Sequence, residues 1–64
     1  MRNMYDFSIL VFEDMDDERA IAKHRANSLY EAEEIINEYK KECGDRCVGS
    51  ILDLSTHIWI RWKE

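Results

Sequence analysis

One stretch decides the fold of this chain: Ser28-Leu29-Tyr30-Glu31-Ala32-Glu33-Glu34-Ile35-Ile36. Ser28 and Glu31 form a capping box. The Ser28 side-chain oxygen accepts from the amide of Glu31, the third residue after it, and the Glu31 side chain reaches back to the amide of Ser28. Apolar residues then recur at helical spacing, at Leu29, Ala32, Ile35, Ile36, Tyr39 and Cys43. Gly44 follows as a typical helix stop. The sequence therefore predicts an amphipathic helix over residues 28 to 43.

Two strands are predicted before this helix. Residues 5 to 13 alternate, with Tyr5, Phe7, Ile9 and Val11 on one face. After an acidic turn, residues 19 to 26 also follow a period of two, which separates Ala20, Ala22, His24 and Ala26 from their neighbours. A four-residue loop, Asp14 to Asp17, would set Val11 opposite Ala20 and Ile9 opposite Ala22. The alternative is a helix over residues 15 to 26, because alanine, arginine and lysine favour helix.

Two further strands are predicted after the helix. The even positions from Val48 to Trp62 are mostly apolar and are expected to face the helix. A single strand of this length would span about 50 Å, so we expect a hairpin with Ser55-Thr56-His57 as its loop. The predicted fold class is α+β, in the order strand-strand-helix-strand-strand. A four-stranded antiparallel sheet would carry the helix on one face, as a single domain over residues 1–64.

Length and composition exclude several classes of protein. The chain has 64 residues, 14 of them acidic and nine basic, so it is one small acidic domain without room for a deep, walled pocket. Its longest apolar run, Ile9 to Phe12, is far shorter than a membrane span, and residues 1 to 6 lack the apolar region of a signal peptide. We expect a soluble cytoplasmic protein.

The sheet face away from the helix is the first candidate binding surface. The predicted strands give this face both apolar and basic side chains. Its apolar area is larger than is usual for a surface that contacts only water. We expect this face to bind a partner, with a homodimer as the simplest case, because a second copy would add burial that a short chain lacks. The alternative is that these residues wrap into a small core. The predicted contact residues are Leu10, Phe12, Ile21, Ile51, Trp59 and Arg61.

The acidic residues mark a second candidate surface. Residues 13 to 18 contain five acids and no base, and the helix contains five acids against two lysines. Such a surface can engage a basic groove on a protein partner, with Glu31, Glu34 and Glu38 as contact residues. The alternative is a solvated helix face and a polar turn.

Nucleic-acid binding is the runner-up function. Ile58-Trp59-Ile60-Arg61-Trp62-Lys63 interleaves aromatic and basic residues, which can stack on bases and neutralise phosphates. Strict alternation would send Trp59 and Trp62 to opposite faces, and the net charge of −5 opposes binding. The residues assigned to this function are Arg19, Lys23, Arg25, Trp59 and Arg61.

The sequence predicts no catalytic, metal or cofactor site. Cys43 and Cys47 could join His24 and His57 in a zinc site, or form a disulfide, but the spacing favours two reduced thiols. Asp53, Ser55 and His57 alternate like a triad, yet we expect a turn to interrupt them. Residues 13 to 18 lack the glycine and ligand spacing of a calcium loop.

The alternating strand followed by the capped acidic helix of Ser28 to Ile36 resembles the architecture of small stand-alone proteins encoded by phages and other mobile elements. Several such proteins inhibit host defence or metabolic enzymes by stoichiometric binding, and the resemblance implies that possibility here. The resulting hypothesis is a non-enzymatic binding or inhibitory protein that acts as a small homodimer.

Overall fold

Residues 5–64 are described by a computed structural model, which contains four strands and one helix in this range. The elements are β1 (Phe7–Phe12), β2 (Ala22–Ala26), α1 (Leu29–Cys43), β3 (Val48–Asp53) and β4 (Ile58–Arg61). Neighbouring strands are antiparallel, and their order across the sheet is β2-β1-β3-β4. The predicted α+β class and element order are confirmed. The helix alternative for residues 15 to 26 is wrong, because this segment contains β2.

Helix α1 begins and ends where the sequence predicts. The Ser28 hydroxyl oxygen accepts from the Glu31 amide at 3.1 Å, as expected of an N-cap. Gly44 ends the helix at φ 95°, a conformation that favours glycine, and its amide donates to the Lys40 carbonyl. With 15 residues, α1 is too short and too charged to cross a membrane, and the described residues form no other helix.

The core lies between α1 and one face of the sheet. Ile9 and Ile51 are directly opposite each other on β1 and β3, and both are fully buried. Ala26 is also buried, as predicted for a strand over which the helix sits closely. The complete cluster is Ile9, Val11, Ala26, Ala32, Ile36, Cys47 and Ile51.

The predicted pairing of β1 with β2 is wrong by two residues. Val11 lies opposite Ala22, and Ile9 lies opposite His24. The connection runs over residues 13 to 21 instead of four, because its acidic part folds into a turn of its own, closed by the Asp17 amide donating to the Asp14 carbonyl. A shift of two keeps each side chain on its predicted face.

Strand β3 is turned over relative to the prediction. Gly49 and Ile51 face α1, whereas the even-numbered residues face away from it. A Cβ on residue 49 would lie 2.5 Å from Cγ1 of Ile36, so the glycine leaves the space that the helix side chain fills. The hairpin loop has four residues, 54 to 57, and not three, and His57 adopts φ 59° within it.

Candidate functional site

The open face, defined as the side of the sheet away from α1, combines apolar, aromatic and basic side chains. β1 and β3 supply its centre, and β2 and β4 supply its two margins. Trp59 lies opposite Leu52 and therefore on this face. The strand residues on the open face are Ser8, Leu10, Phe12, Lys23, Arg25, Val48, Ser50, Leu52 and Trp59.

A β-bulge brings the two tryptophans to the same face. Trp59 pairs with Leu52 but Arg61 pairs with Ile51, so Ile60 is an extra residue in β4. The extra residue reverses the alternation after it, and the Trp62 ring lies 4.8 Å from the Trp59 ring, centroid to centroid, in an edge-to-face arrangement. The expectation that these tryptophans occupy opposite faces is wrong.

The end of the chain holds the tryptophan pair in place. The Trp62 ring packs 6.2 Å from the Phe12 ring, and the Lys63 ammonium lies 4.7 Å above Phe12. The Lys63 amide donates to the Ser50 hydroxyl at 2.9 Å, while Gly49 and Glu64 exchange two backbone hydrogen bonds. Phe12 is consequently only 3% exposed, whereas Trp59 and Trp62 remain 42% and 52% exposed.

The strands of the open face and the helix α1 differ in charge. Lys23 lies opposite Leu10 and Arg25 lies opposite Ser8, and both cations are exposed on the open face. Among the strand residues that the structure describes on this face, none is acidic. The acids of α1 lie on the opposite side of the sheet. The strand residues of the open face therefore carry two cations and no acid, and the acidic loop of residues 13 to 18 borders this face where Lys63 contacts it.

Four predicted contact residues are not among the strand residues of the open face. Ile51 is fully buried beneath α1, because β3 is turned over. Arg61 pairs with Ile51 and so points to the α1 side, where its Nε is buried without a hydrogen-bond partner. Arg19 lies in the loop, not in a strand, and Ile21 precedes β2.

The predicted acidic contact residues are exposed on α1. Glu31, Glu34 and Glu38 follow one another at helical spacing on the side away from the buried residues of α1. Glu38 pairs with Lys41 at 3.6 Å in full contact with solvent. Since this row and the tryptophan pair lie on opposite sides of the molecule, a flat partner surface contacts one of them and not both.

The acidic loop borders an open depression of about 340 Å³. Arg46 donates to Oδ2 of Asp14 at 2.7 Å, and this hydrogen bond holds the pKa of the Asp14 carboxyl below its ordinary value. The depression is lined by Glu13, Asp14, Asp16, Asp17, Cys43 and Arg46. Within residues 5–64, no three potential metal ligands come together in a metal-binding arrangement.

The cysteines and histidines are dispersed. Cys43 ends α1 and is exposed, while Cys47 precedes β3 and is buried. Burial, with a smaller contribution from Cys43, raises the pKa of the Cys47 thiol. His24 shares a hydrogen bond of 2.6 Å with the Tyr39 hydroxyl on the helix side, and His57 lies in the hairpin loop.

The triad-like residues build the hairpin turn. Asp53 is the last residue of β3, and its Oδ1 accepts from the Ser55 hydroxyl at 2.7 Å and from the Ser55 amide at 2.9 Å. These bonds lower the pKa of the Asp53 carboxyl. The prediction that a turn interrupts the alternation of Asp53, Ser55 and His57 is confirmed.

Sequence reasoning missed Trp62 and Lys63 as parts of the open face. The sequence carries no signal that places Trp62 there, because a spacing of three between Trp59 and Trp62 puts both on one face only if the strand contains a bulge. Nothing local in the sequence indicates that Lys63 reaches the carbonyls of Met15 and Asp17, as it does at 3.2 and 2.9 Å.

Comparisons with known proteins found no significant match, whether among protein-family models, curated proteins or solved structures.

Proposed function

We propose that this chain is a non-enzymatic binding protein that engages a protein partner stoichiometrically through Trp59 and Trp62 on the open face. One observation carries the proposal: two half-exposed tryptophans pack against each other on a face without acidic strand residues in the described chain. Tryptophan is enriched among residues that dominate protein–protein binding energy, since each ring buries a large apolar area with few rotatable bonds.

The surroundings of the pair support recognition of a protein surface. Phe12 and Lys63 both pack against the Trp62 ring, so less conformational entropy is lost when a partner covers it. Lys23 and Arg25 lie on the same face and favour a partner with acidic groups around an apolar centre. Because the acidic row on α1 lies on the other side of the sheet, this partner leaves it exposed, and its negative charge disfavours binding of nucleic acid.

The resemblance to small phage and mobile-element proteins extends the proposal to inhibition. In this form the chain covers a functional surface of a host defence or metabolic protein, and no chemistry of its own is needed. It acts in the cytoplasm, a compartment that keeps thiols such as Cys43 and Cys47 reduced.

Affinity capture from cell lysate tests the proposal with three baits: the wild-type chain, Trp62→Ala and Tyr30→Ala. Tyr30 is the matched control, because it is an aromatic residue that is 73% exposed on α1. We expect a protein that is retained by wild type and by Tyr30→Ala, survives nuclease treatment and is lost with Trp62→Ala. Calorimetry with the purified partner should then give a fixed stoichiometry. Equal retention by Trp62→Ala would contradict the proposal.

A second candidate function is the binding of single-stranded nucleic acid. The specific observation in its favour is that the bulge places both tryptophans on the face that carries Lys23 and Arg25. Arg61 points to the α1 side and Arg19 lies in the loop before β2, so this candidate has fewer strand cations than the sequence predicted. The nuclease arm separates the two functions: retained material that disappears after nuclease treatment favours nucleic acid.

A further inference from the structure

β4 is an edge strand with exposed apolar side chains on both sides of the sheet. Ile58 pairs with Asp53 on the α1 side and is 63% exposed, while Trp59 lies on the open face. Strand alternation after Trp59 assigns Ile60, which is 45% exposed, to the α1 side. The cause is the limited reach of α1, which covers β1, β2 and β3; within the described chain, none of its Cα atoms lies within 8 Å of a β4 Cα atom. A partner on one side of the sheet would cover half of these side chains, whereas a strand paired alongside β4 covers both halves.

The strand at the opposite edge of the sheet, β2, differs from β4 in its exposed charges. β2 exposes Lys23 and Arg25, and charged side chains on an edge strand oppose pairing with another strand. β4 contains one charged residue, Arg61, and it is half-buried. The bulge at Ile60 interrupts the outer edge of β4, but β4 lacks the exposed charges of β2, and this contrast favours β4 for strand addition.

We propose that a second copy of this chain pairs with β4, antiparallel, about a two-fold axis at Trp59. Residues opposite each other share a face, so this axis sets Trp59 against Trp59 on the open side and Ile58 against Ile60 of the second copy on the α1 side. An axis between Trp59 and Ile60 would pair side chains from opposite faces. An axis at Ile60 would set Arg61 beside Trp59. The axis at Trp59 pairs apolar with apolar over residues 58 to 60 and leaves Arg61 opposite His57 in the hairpin loop of the second copy.

Charge also favours this arrangement. The acidic loop follows the end of β1 that lies farthest from the β3–β4 hairpin, whereas Trp59 is the second residue after that hairpin loop. Antiparallel pairing at Trp59 therefore directs the two acidic loops to opposite ends of the joined sheet. A dimer built by stacking the two helices would instead bring together the acids of chains that each carry a net charge of −5.

The available surface sets the strength of the dimer. With 42% of its surface exposed, Trp59 offers on the order of 100 Å² per copy. Together with the isoleucines and the paired backbone, the total stays below about 1,200 Å², the range of weak and reversible complexes. A dissociation constant of roughly 10 µM to 1 mM is expected. This inference does not rest on the proposed function; both use Trp59, so the dimer leaves Trp62 alone to contact a protein partner.

Sedimentation equilibrium of the full chain, from about 10 µM to about 1 mM, tests the dimer. We expect a reversible monomer–dimer equilibrium for wild type and its loss in Ile58→Lys, which would place ammonium groups against an apolar partner strand. Ile21→Lys is the matched control, because Ile21 is also about half exposed, at 47%, but lies directly before β2, the strand at the opposite edge. A wild-type monomer throughout, or an Ile58→Lys dimer as strong as wild type, would overturn the proposal.

Disulfide trapping tests the position of the axis. In a Cys43→Ser background, with Cys47 shielded by burial, Trp59→Cys should cross-link two copies under mild oxidation because the axis passes beside it. Trp62→Cys should not, since the axis leaves the two copies of this residue several positions apart. Cross-linking of Trp62→Cys without Trp59→Cys would show pairing through the open face and overturn the edge arrangement.

Discussion

At the scale of single residues, Gly49 determines how closely α1 approaches the sheet. Ile36 is fully buried over it, and all three contacts that a Cβ at position 49 would meet belong to the Ile36 side chain. The clash involves Cγ1 and Cγ2, which lie close to the helix backbone, as well as the flexible end of the side chain. Relief therefore requires the helix itself to move.

Gly49→Ala is expected to lower the free energy of unfolding by about 1–3 kcal/mol, the usual effect of overpacking a filled core. Urea denaturation measures the change. Ile36→Ala opens a cavity of its own, but the added methyl group occupies part of it. The double variant should therefore lose less stability than the sum of the two single variants. Additive losses would mean that residue 49 does not contact Ile36.

At the scale of secondary-structure elements, the bulge in β4 creates the candidate binding surface. A regular strand would carry Trp59 on the open face and Trp62 on the α1 side. Ile60 is inserted between the residues paired with Leu52 and Ile51, so both tryptophans reach the open face. One additional residue thus converts two separate aromatic side chains into a contacting pair.

Deletion of Ile60 is expected to separate the tryptophans. Two indoles with centroids 4.8 Å apart interact optically, so wild type should show a paired exciton band in its circular dichroism spectrum. The deletion should abolish this band by returning Trp62 to the α1 side. Ile60→Ala is the control, because it keeps the inserted residue and should keep the band. A deletion variant that retains the exciton band would show that the bulge does not set the tryptophan geometry.

At the scale of the whole molecule, the end of the chain is tied to the loop that joins the first two strands. The Lys63 ammonium donates to the carbonyls of Met15 and Asp17 and lies over the Phe12 ring. These contacts join residues 46 and 48 positions apart in the sequence. They close the open face at one end and hold the acidic loop in place.

Lys63→Met is expected to loosen the acidic loop without unfolding the sheet. Methionine keeps an apolar side chain over Phe12 but cannot donate to the two carbonyls, and we expect a loss of about 1 kcal/mol. Cleavage at the loop by a protease specific for acidic residues should become faster than in wild type. Lys41→Met, at an exposed position on α1, is the control and should leave the cleavage rate unchanged. Equal rates in all three proteins would contradict a role for Lys63 in holding the loop.

The sequence by itself determined helix α1, strand β1 and the turn after Asp53, whereas residues 15 to 26 stayed open between strand and helix. The capping box at Ser28, the stop at Gly44 and the alternation of β1 are local signals, because they depend on hydrogen bonds and side-chain periods within one segment. The expected interruption at Asp53 is of the same kind, since its side chain bonds two and three residues ahead. Such signals can be interpreted without knowing what the segment contacts.

Only the tertiary structure decided which residues meet on the open face. Leu52 and Ile51 are both apolar, so the pattern of β3 does not state which one faces α1; the space under Ile36 and the pairing of Ile9 with Ile51 decide it. The bulge at Ile60 likewise depends on how β4 fits its neighbour. Strand register and bulges are set by contacts between distant segments, and these contacts also place Trp62 beside Trp59.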